Sequence, residues 1–261
     1  MSNAAAIRVL AKSVLVEAFR RKELYVIILV CCVLIGVALT LDFFGLTGLV
    51  KFYREISLQL MGASTALAVL LLATRQLPRE FEQRTIYPLL ARPVGRFTFL
   101  TGKALGVLGA AACCFALFML LYIGGILSLG GDVAWALFLQ HVYLQLLQML
   151  VLTTLAFLLS LMFNFDAALV IGLLIYAASG IISSASVFLW ELTTGTGRIL
   201  LWIMNYLLPQ LVLFDLSSRT VHAEMWPPLS PGVLLALTAY ALAYSAVFAG
   251  IAHLLFRRRP L

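Results

Sequence analysis

Leu24–Phe44 reads LYVIILVCCVLIGVALTLDFF, 21 residues with one charge, Asp42, close to its end. A helix of that length spans about 30 Å, the thickness of the hydrocarbon layer of a bilayer. The run is continuous. A barrel strand would instead show roughly ten residues of alternating polarity, so the stretch reads as a transmembrane helix. Five similar runs follow, at Ile56–Leu77, Leu105–Leu127, Val142–Phe163, Ala167–Trp190 and Leu234–Phe256. The expected fold is an all-α membrane protein with six transmembrane helices, one transmembrane domain over residues 1–261.

Composition agrees with that expectation. Of 261 residues, 63% are hydrophobic and only 11% charged, and the mean hydropathy is +1.07. A soluble domain needs far more charge on its surface. In lipid every backbone polar group must be satisfied internally, which leaves helices for runs of this length. The first run begins only at Leu24, and no small-x-small site follows it in Leu41–Asp42–Phe43–Phe44, so it is expected to be a retained span and not a cleaved signal peptide.

The basic residues are distributed unevenly among the connections. Arg8, Lys12, Arg20, Arg21 and Lys22 precede the first span. Arg75, Arg79, Arg84, Arg92, Arg96 and Lys103 lie between the second and third, and Arg257, Arg258 and Arg259 follow the sixth. Fourteen of the 18 Lys and Arg thus fall on one side, leaving Lys51, Arg54, Arg198 and Arg219 on the other. Positive residues accumulate on the cytoplasmic side, so both termini and the 75–103 connection are expected there. The net charge of +7 is read as membrane orientation. Nucleic acid is not an expected partner, because the charges sit at span ends where lipid headgroups lie.

Two further segments have character of their own. Residues 1–23 place Ile7, Leu10, Ala11, Val14, Leu15 and Ala18 on one helical face, with Arg8, Lys12, Glu17 and Arg20 elsewhere. The pattern predicts an interfacial helix over residues 1–23 turning into the first span near Arg21–Lys22, or else a plain extension of that span. Ile199–Phe214 is apolar but interrupted by Asn205 and Pro209, and Pro209 removes a helical hydrogen bond. This segment, 199–214, is predicted to be re-entrant or interfacial, lying before the last span.

The only long cytoplasmic connection, Arg75–Lys103, reads RQLPREFEQRTIYPLLARPVGRFTFLTGK. Pro78 disfavours helix at Leu77. Thr85 is a suitable N-cap, Pro88 is tolerated in a first turn, and Pro93 with Gly95 ends the element. A short helix over Ile86–Ala91 is predicted, bearing Ile86, Leu89 and Leu90 within a ring of arginines. Such a knob suits a docking element, and it equally suits a loop folded back onto the inner leaflet.

The run Glu80–Phe81–Glu82–Gln83–Arg84–Thr85–Ile86–Tyr87–Pro88–Leu89–Leu90–Ala91–Arg92–Pro93–Val94–Gly95–Arg96, with Gly102–Lys103 beyond it, resembles the first cytoplasmic loop of ABC-2 type transporter permeases. It is most similar to the small six-span permeases grouped with copper-enzyme maturation and gliding-associated exporters. Thr85, Ile86, Leu89, Leu90, Pro93, Val94, Gly95, Arg96, Gly102 and Lys103 match; Arg84 replaces the usual Gly, and Pro88 is unusual. The resemblance implies a permease subunit of an ATP-driven exporter in the bacterial cytoplasmic membrane. It implies that Glu80, Glu82, Thr85, Ile86, Leu89, Leu90, Arg92 and Arg96 meet a separate ATPase subunit, and that a second permease copy, identical or related, completes the pathway. In that family the N-terminal segment is an elbow helix, and the broken segment before the last span dips into the membrane from outside.

The chain shows no ATPase of its own. Ala104 follows Gly102–Lys103 where a phosphate loop needs Ser or Thr, and Phe97 stands at its first glycine. ATP and Mg²⁺ are therefore expected on the partner, with no cofactor in this chain and no enzymatic activity. His141, His222 and His253 are scattered, and the adjacent pairs Cys31–Cys32 and Cys113–Cys114 lack metal-ligand spacing. Within the spans, His141, Gln145 and Gln148 share one face of the fourth helix, and Ser179, Ser183 and Ser186 share one of the fifth. Gln145, Gln148, Ser179, Ser183 and Asn205 would line a path of modest polarity. The alternative is interhelical hydrogen bonding, just as Gly102, Gly106 and Ala110 read as a packing seam. A non-transporting assembly subunit of a membrane complex is the competing functional class.

Overall fold

The computed structural model describes residues 3–40, 45–82, 95–192 and 194–258, and all their regular structure is helical. The helices are α1 (Asn3–Phe19), α2 (Lys22–Thr40), α3 (Gly45–Glu82), α4 (Arg96–Ser128), α5 (Trp135–Met162), α6 (Phe165–Leu192), α7 (Thr196–Leu207), α8 (Ser217–Val221) and α9 (Pro231–Arg258). A 3₁₀ turn, Leu211–Phe214, lies between α7 and α8. Six of these helices, α2 to α6 and α9, are long and apolar enough to cross a membrane. Each covers all or most of one predicted span, the first span's residues 41–44 lying outside the described residues, so the chain is a multi-pass helical membrane protein.

α3, α4, α6 and α9 outrun at both ends the spans drawn from hydropathy. α3 has 38 residues, about 57 Å at the usual helical rise, and it passes straight through Pro78 to Glu82. The expectation that Pro78 disfavours helix at Leu77 is therefore corrected. Proline removes one N–H bond and crowds the preceding turn, but the last turns of α3 are gripped from outside. Arg75 donates to Glu23 at 2.6 Å, Arg79 donates to Glu17, and Gln76 and Glu80 both accept from Lys103.

α5 is the hub of the bundle and packs against α3, α4, α6 and α9. Its Leu144, Val151, Thr153 and Ala156 are wholly buried. α2 touches α3 and α4 and turns Val26, Leu29, Val30, Val33 and Val37 outward, as lipid requires. α3 and α4 run antiparallel. Lys103 meets Gln76 and Glu80 at one end, and Tyr53 donates to the Leu121 carbonyl at 3.0 Å towards the other. Gly125 is what admits the Tyr53 ring, since a Cβ there would stand 2.0 Å from the phenolic oxygen.

α1 is a separate helix and not an extension of the first span. The chain leaves it at Arg20 and Arg21, whose N–H groups donate to the Glu17 and Ala18 carbonyls. Its predicted apolar face is buried at Leu10, Val14 and Ala18, and the cover is α4. Cβ atoms added at Gly102 and Gly106 would lie 2.8 Å from Leu10 Cβ and 2.6 Å from Val14 Cβ. The small-residue seam of the third span therefore receives α1.

At the opposite end the chain breaks at Pro209 as anticipated. Leu211 and Phe214 are fully buried against α5 and α6, and the Gln210 N–H donates to Tyr240 Oη of α9 at 2.9 Å. Gln140 of α5 then holds the returning chain at Leu229, donating to its carbonyl at 3.1 Å and accepting from its N–H at 2.8 Å. The two ends differ in charge. The end with α1, Arg75, Arg79, Arg96, Lys103, Arg257 and Arg258 is the basic end.

Candidate functional site

Residues 83–94, with Thr85, Ile86, Leu89, Leu90 and Arg92, lie outside the described residues, and Glu82 ends α3. What is described is the stem on which that connection is mounted. Lys103 enters the bundle with its side chain 4% exposed and donates to Glu80 at 2.7 Å and to Gln76 Oε1 at 3.2 Å. Across the stem, Arg96 donates to the carbonyls of Phe256 and Arg257 at 2.9 and 2.7 Å. Those are orphan acceptors of the last turn of α9, where a cation is also favoured by the helix dipole. Phe256 stacks on Phe99 at 5.9 Å and meets Phe81 edge-on at 6.1 Å. Both stem helices are thus fastened to each other and to α9.

Gly95 explains how α4 starts. Its extended backbone (φ −62°, ψ 144°) precedes the helix, and its carbonyl accepts from Phe99 N–H at 3.0 Å. Glu80 and Arg96, expected to meet a partner, both make contacts within the chain. Glu80 remains partly exposed and faces Lys103.

A second polar group lies inside the bundle. His141, Gln145 and Gln148 on α5 are all buried. A Cβ on Gly62 of α3 would be 3.6 Å from Gln145 Nε2 and 4.0 Å from Tyr176 Oη, so three helices converge on that glycine. Gln148 faces the Tyr176 hydroxyl. Ser179 and Ser183 lie on α6, about one and two turns beyond Tyr176. Ser179 itself donates to the Tyr176 carbonyl at 2.7 Å, which is bonding within its own helix.

His141 is fully buried. Its Nδ1 accepts from the Leu216 N–H at 3.3 Å and lies 3.9 Å from Asp215 Oδ1. The Asp215 carboxylate in turn accepts from the Ser217 N–H at 2.8 Å. The segment after Pro209 is therefore pinned over the polar group from the end opposite the basic one. Asn205 lies within α7, before that break. Sequence reading missed Tyr176 and Asp215. Tyr176 could have been found one helical turn before Ser179 on the same face, and Asp215 as the first acid after the broken apolar stretch.

Among the described residues, no three His, Cys, Asp or Glu side chains come together as metal ligands, and the four cysteines are free thiols. The arrangement can carry hydrogen bonds through the bundle and can tie a peripheral loop rigidly to several helices.

Fold and site together define a helical membrane protein with six helices of spanning length, the ends of α3 and α4 fastened together at its basic end and a capped polar group within. The chain belongs to the family described as Protein of unknown function (DUF2705), whose model matches residues 24–260. The comparison with curated proteins finds no match.

Proposed function

We propose that the chain is the transmembrane subunit of an ATP-driven exporter of the ABC-2 type, acting in a bacterial cytoplasmic membrane with a separate ATPase subunit and a second permease copy. On this reading the basic end is cytoplasmic, α1 is the elbow helix, and the segment broken at Pro209 enters the membrane from outside and returns. The observation that carries the proposal is the stem. A docking loop transmits force only if both its roots are stiff, and Lys103–Glu80, Arg96 with the α9 carbonyls, and the Phe81–Phe256–Phe99 cluster stiffen them. The Thr85–Arg92 motif, by its resemblance to the coupling loop of that family, supplies the other support. The polar group around Gln145, Gln148 and Tyr176 would then border the path between two copies.

The test is a double substitution, Leu89→Asp with Leu90→Asp, in the chain isolated from its native membrane in mild detergent. Charge placed in an apolar docking pocket costs several kcal/mol where desolvation is complete. Membrane insertion should persist, while co-purification of an ATPase subunit and its stimulated ATP turnover should vanish. A double variant that retains both would show that the loop is not the coupling contact. A parent chain that binds no ATPase removes the transporter reading and leaves an assembly subunit in its place.

A further inference from the structure

The basic end holds an open cavity of about 1470 Å³ between the polar face of α1, the start of α2, the end of α3 and the α5–α6 turn. Six cations line it: Lys12, Arg20, Arg21, Lys22, Arg75 and Arg79. Against them stand three carboxylates, Glu17, Glu23 and Asp166. Two of the three are already committed, Glu17 to Arg21 and Arg79 and Glu23 to Arg75. Asp166 sits in the first turn of α6, where the helix N-terminus offsets its charge. Among the described residues the side chains of Lys12, Arg20 and Lys22 make no ion pair, so the cavity keeps unneutralised positive charge.

We infer that this cavity holds the headgroup of an anionic phospholipid. A phosphate diester is matched by arginine forks and by lysine point charges, and basic pockets beside membrane spans take such headgroups. The choice of a lipid over a small soluble anion follows from what adjoins the charges. Val9 and Val16 line the cavity and are 60% and 41% exposed. From there Phe19, Tyr25 and Val26, also exposed, continue along α1 and α2 as an apolar track suited to acyl chains. The site couples the joint between α1 and α2 to membrane composition. This inference depends on membrane embedding alone and is independent of any ATPase partner.

The full chain in neutral detergent is titrated with dioctanoylphosphatidylglycerol and, as the zwitterionic control, dioctanoylphosphatidylcholine, with binding followed by native mass spectrometry. The parent should prefer phosphatidylglycerol by at least about tenfold, since three unpaired cations face the headgroup. Lys12→Gln, Arg20→Gln and Lys22→Gln together should abolish the preference. Arg8→Gln, Arg257→Gln and Arg258→Gln remove the same charge outside the cavity and should leave it intact. Equal binding of the two lipids by the parent, or equal loss in both triple variants, overturns the site. Inorganic phosphate displacing the lipid at the lipid's own affinity overturns the lipid assignment. The lipid preference and the phosphate competition are read on the parent, so they decide the matter even if a variant misfolds.

Discussion

Lys103 of α4 donates to Glu80 of α3 at 2.7 Å, with the lysine side chain 4% exposed and the glutamate 18%. Removing one member of such a pair leaves a desolvated charge, which typically costs about 3–5 kcal/mol, whereas removing both is far milder. Glu80→Gln should therefore lower the thermal transition of the purified protein clearly, and Glu80→Gln with Lys103→Met should recover most of the loss. Tryptophan fluorescence during a thermal ramp measures both. If the double variant melts as low as the single one, the loss does not come from an unpaired Lys103.

Gly124 and Gly125 are adjacent on α4 but should respond oppositely to alanine. A Cβ at Gly124 meets nothing within 4 Å, while one at Gly125 would fall 2.0 Å from Tyr53 Oη and 2.3 Å from Cζ. Gly124→Ala should be neutral or slightly stabilising through the unfolded chain. Gly125→Ala should force α3 and α4 apart and cost about 1–3 kcal/mol, the range for overpacking. Tyr53→Leu placed alongside it should restore part of that loss, read from the same melting curves.

Arg96 gathers two carbonyls at the end of α9. Hydrogen bonds from a charged donor contribute about 1.5–3 kcal/mol. Arg96→Ala should free the last turn of α9, and trypsin should cut at Arg257 and Arg258 faster than in the parent. Arg96→Lys should protect only partially, because one ammonium cannot reproduce the planar fork. Unchanged cleavage rates in both variants would mean that the cap contributes nothing to holding α9.

The proposed sidedness rests on the segregation of cations to one end. In a background lacking Cys31, Cys32, Cys113 and Cys114, a cysteine at Arg92 should react with an impermeant maleimide only from the cytoplasm. One at Thr196 should react only from outside. Cysteines at the exposed Ile199 and Leu213 should both share the Thr196 side. Labelling of those two from opposite faces would make the Pro209 segment a crossing and move α9 to the reverse orientation.

The spans were legible because a bilayer makes one demand, an unbroken apolar run, and that demand is written locally at Leu24–Phe44 and its five counterparts. The break at Pro209 was legible for the same reason. Continuation of α3 past Pro78 was not, since it depends on Glu17, Glu23 and Lys103, residues remote in sequence whose grip outweighs a local preference. The face of α1 could be read from its spacing, but its cover could not. An apolar stripe at Leu10 and Val14 specifies burial without saying whether lipid or Gly102 and Gly106 provide it. Tyr176 and Asp215 escaped because each gains its meaning from a residue remote in sequence, Tyr176 from Gln148 of α5 and Asp215 from His141.

Seating of Leu10 on Gly102 and Val14 on Gly106 also sets an order of events during synthesis. α1 leaves the ribosome roughly 90 residues before the groove it occupies, which at about 5–20 residues per second is a wait of several seconds. Throughout that interval its stripe has no protein to bury it, while the first two spans are already entering the bilayer. Slow translation between the second and third spans would prolong that exposed interval.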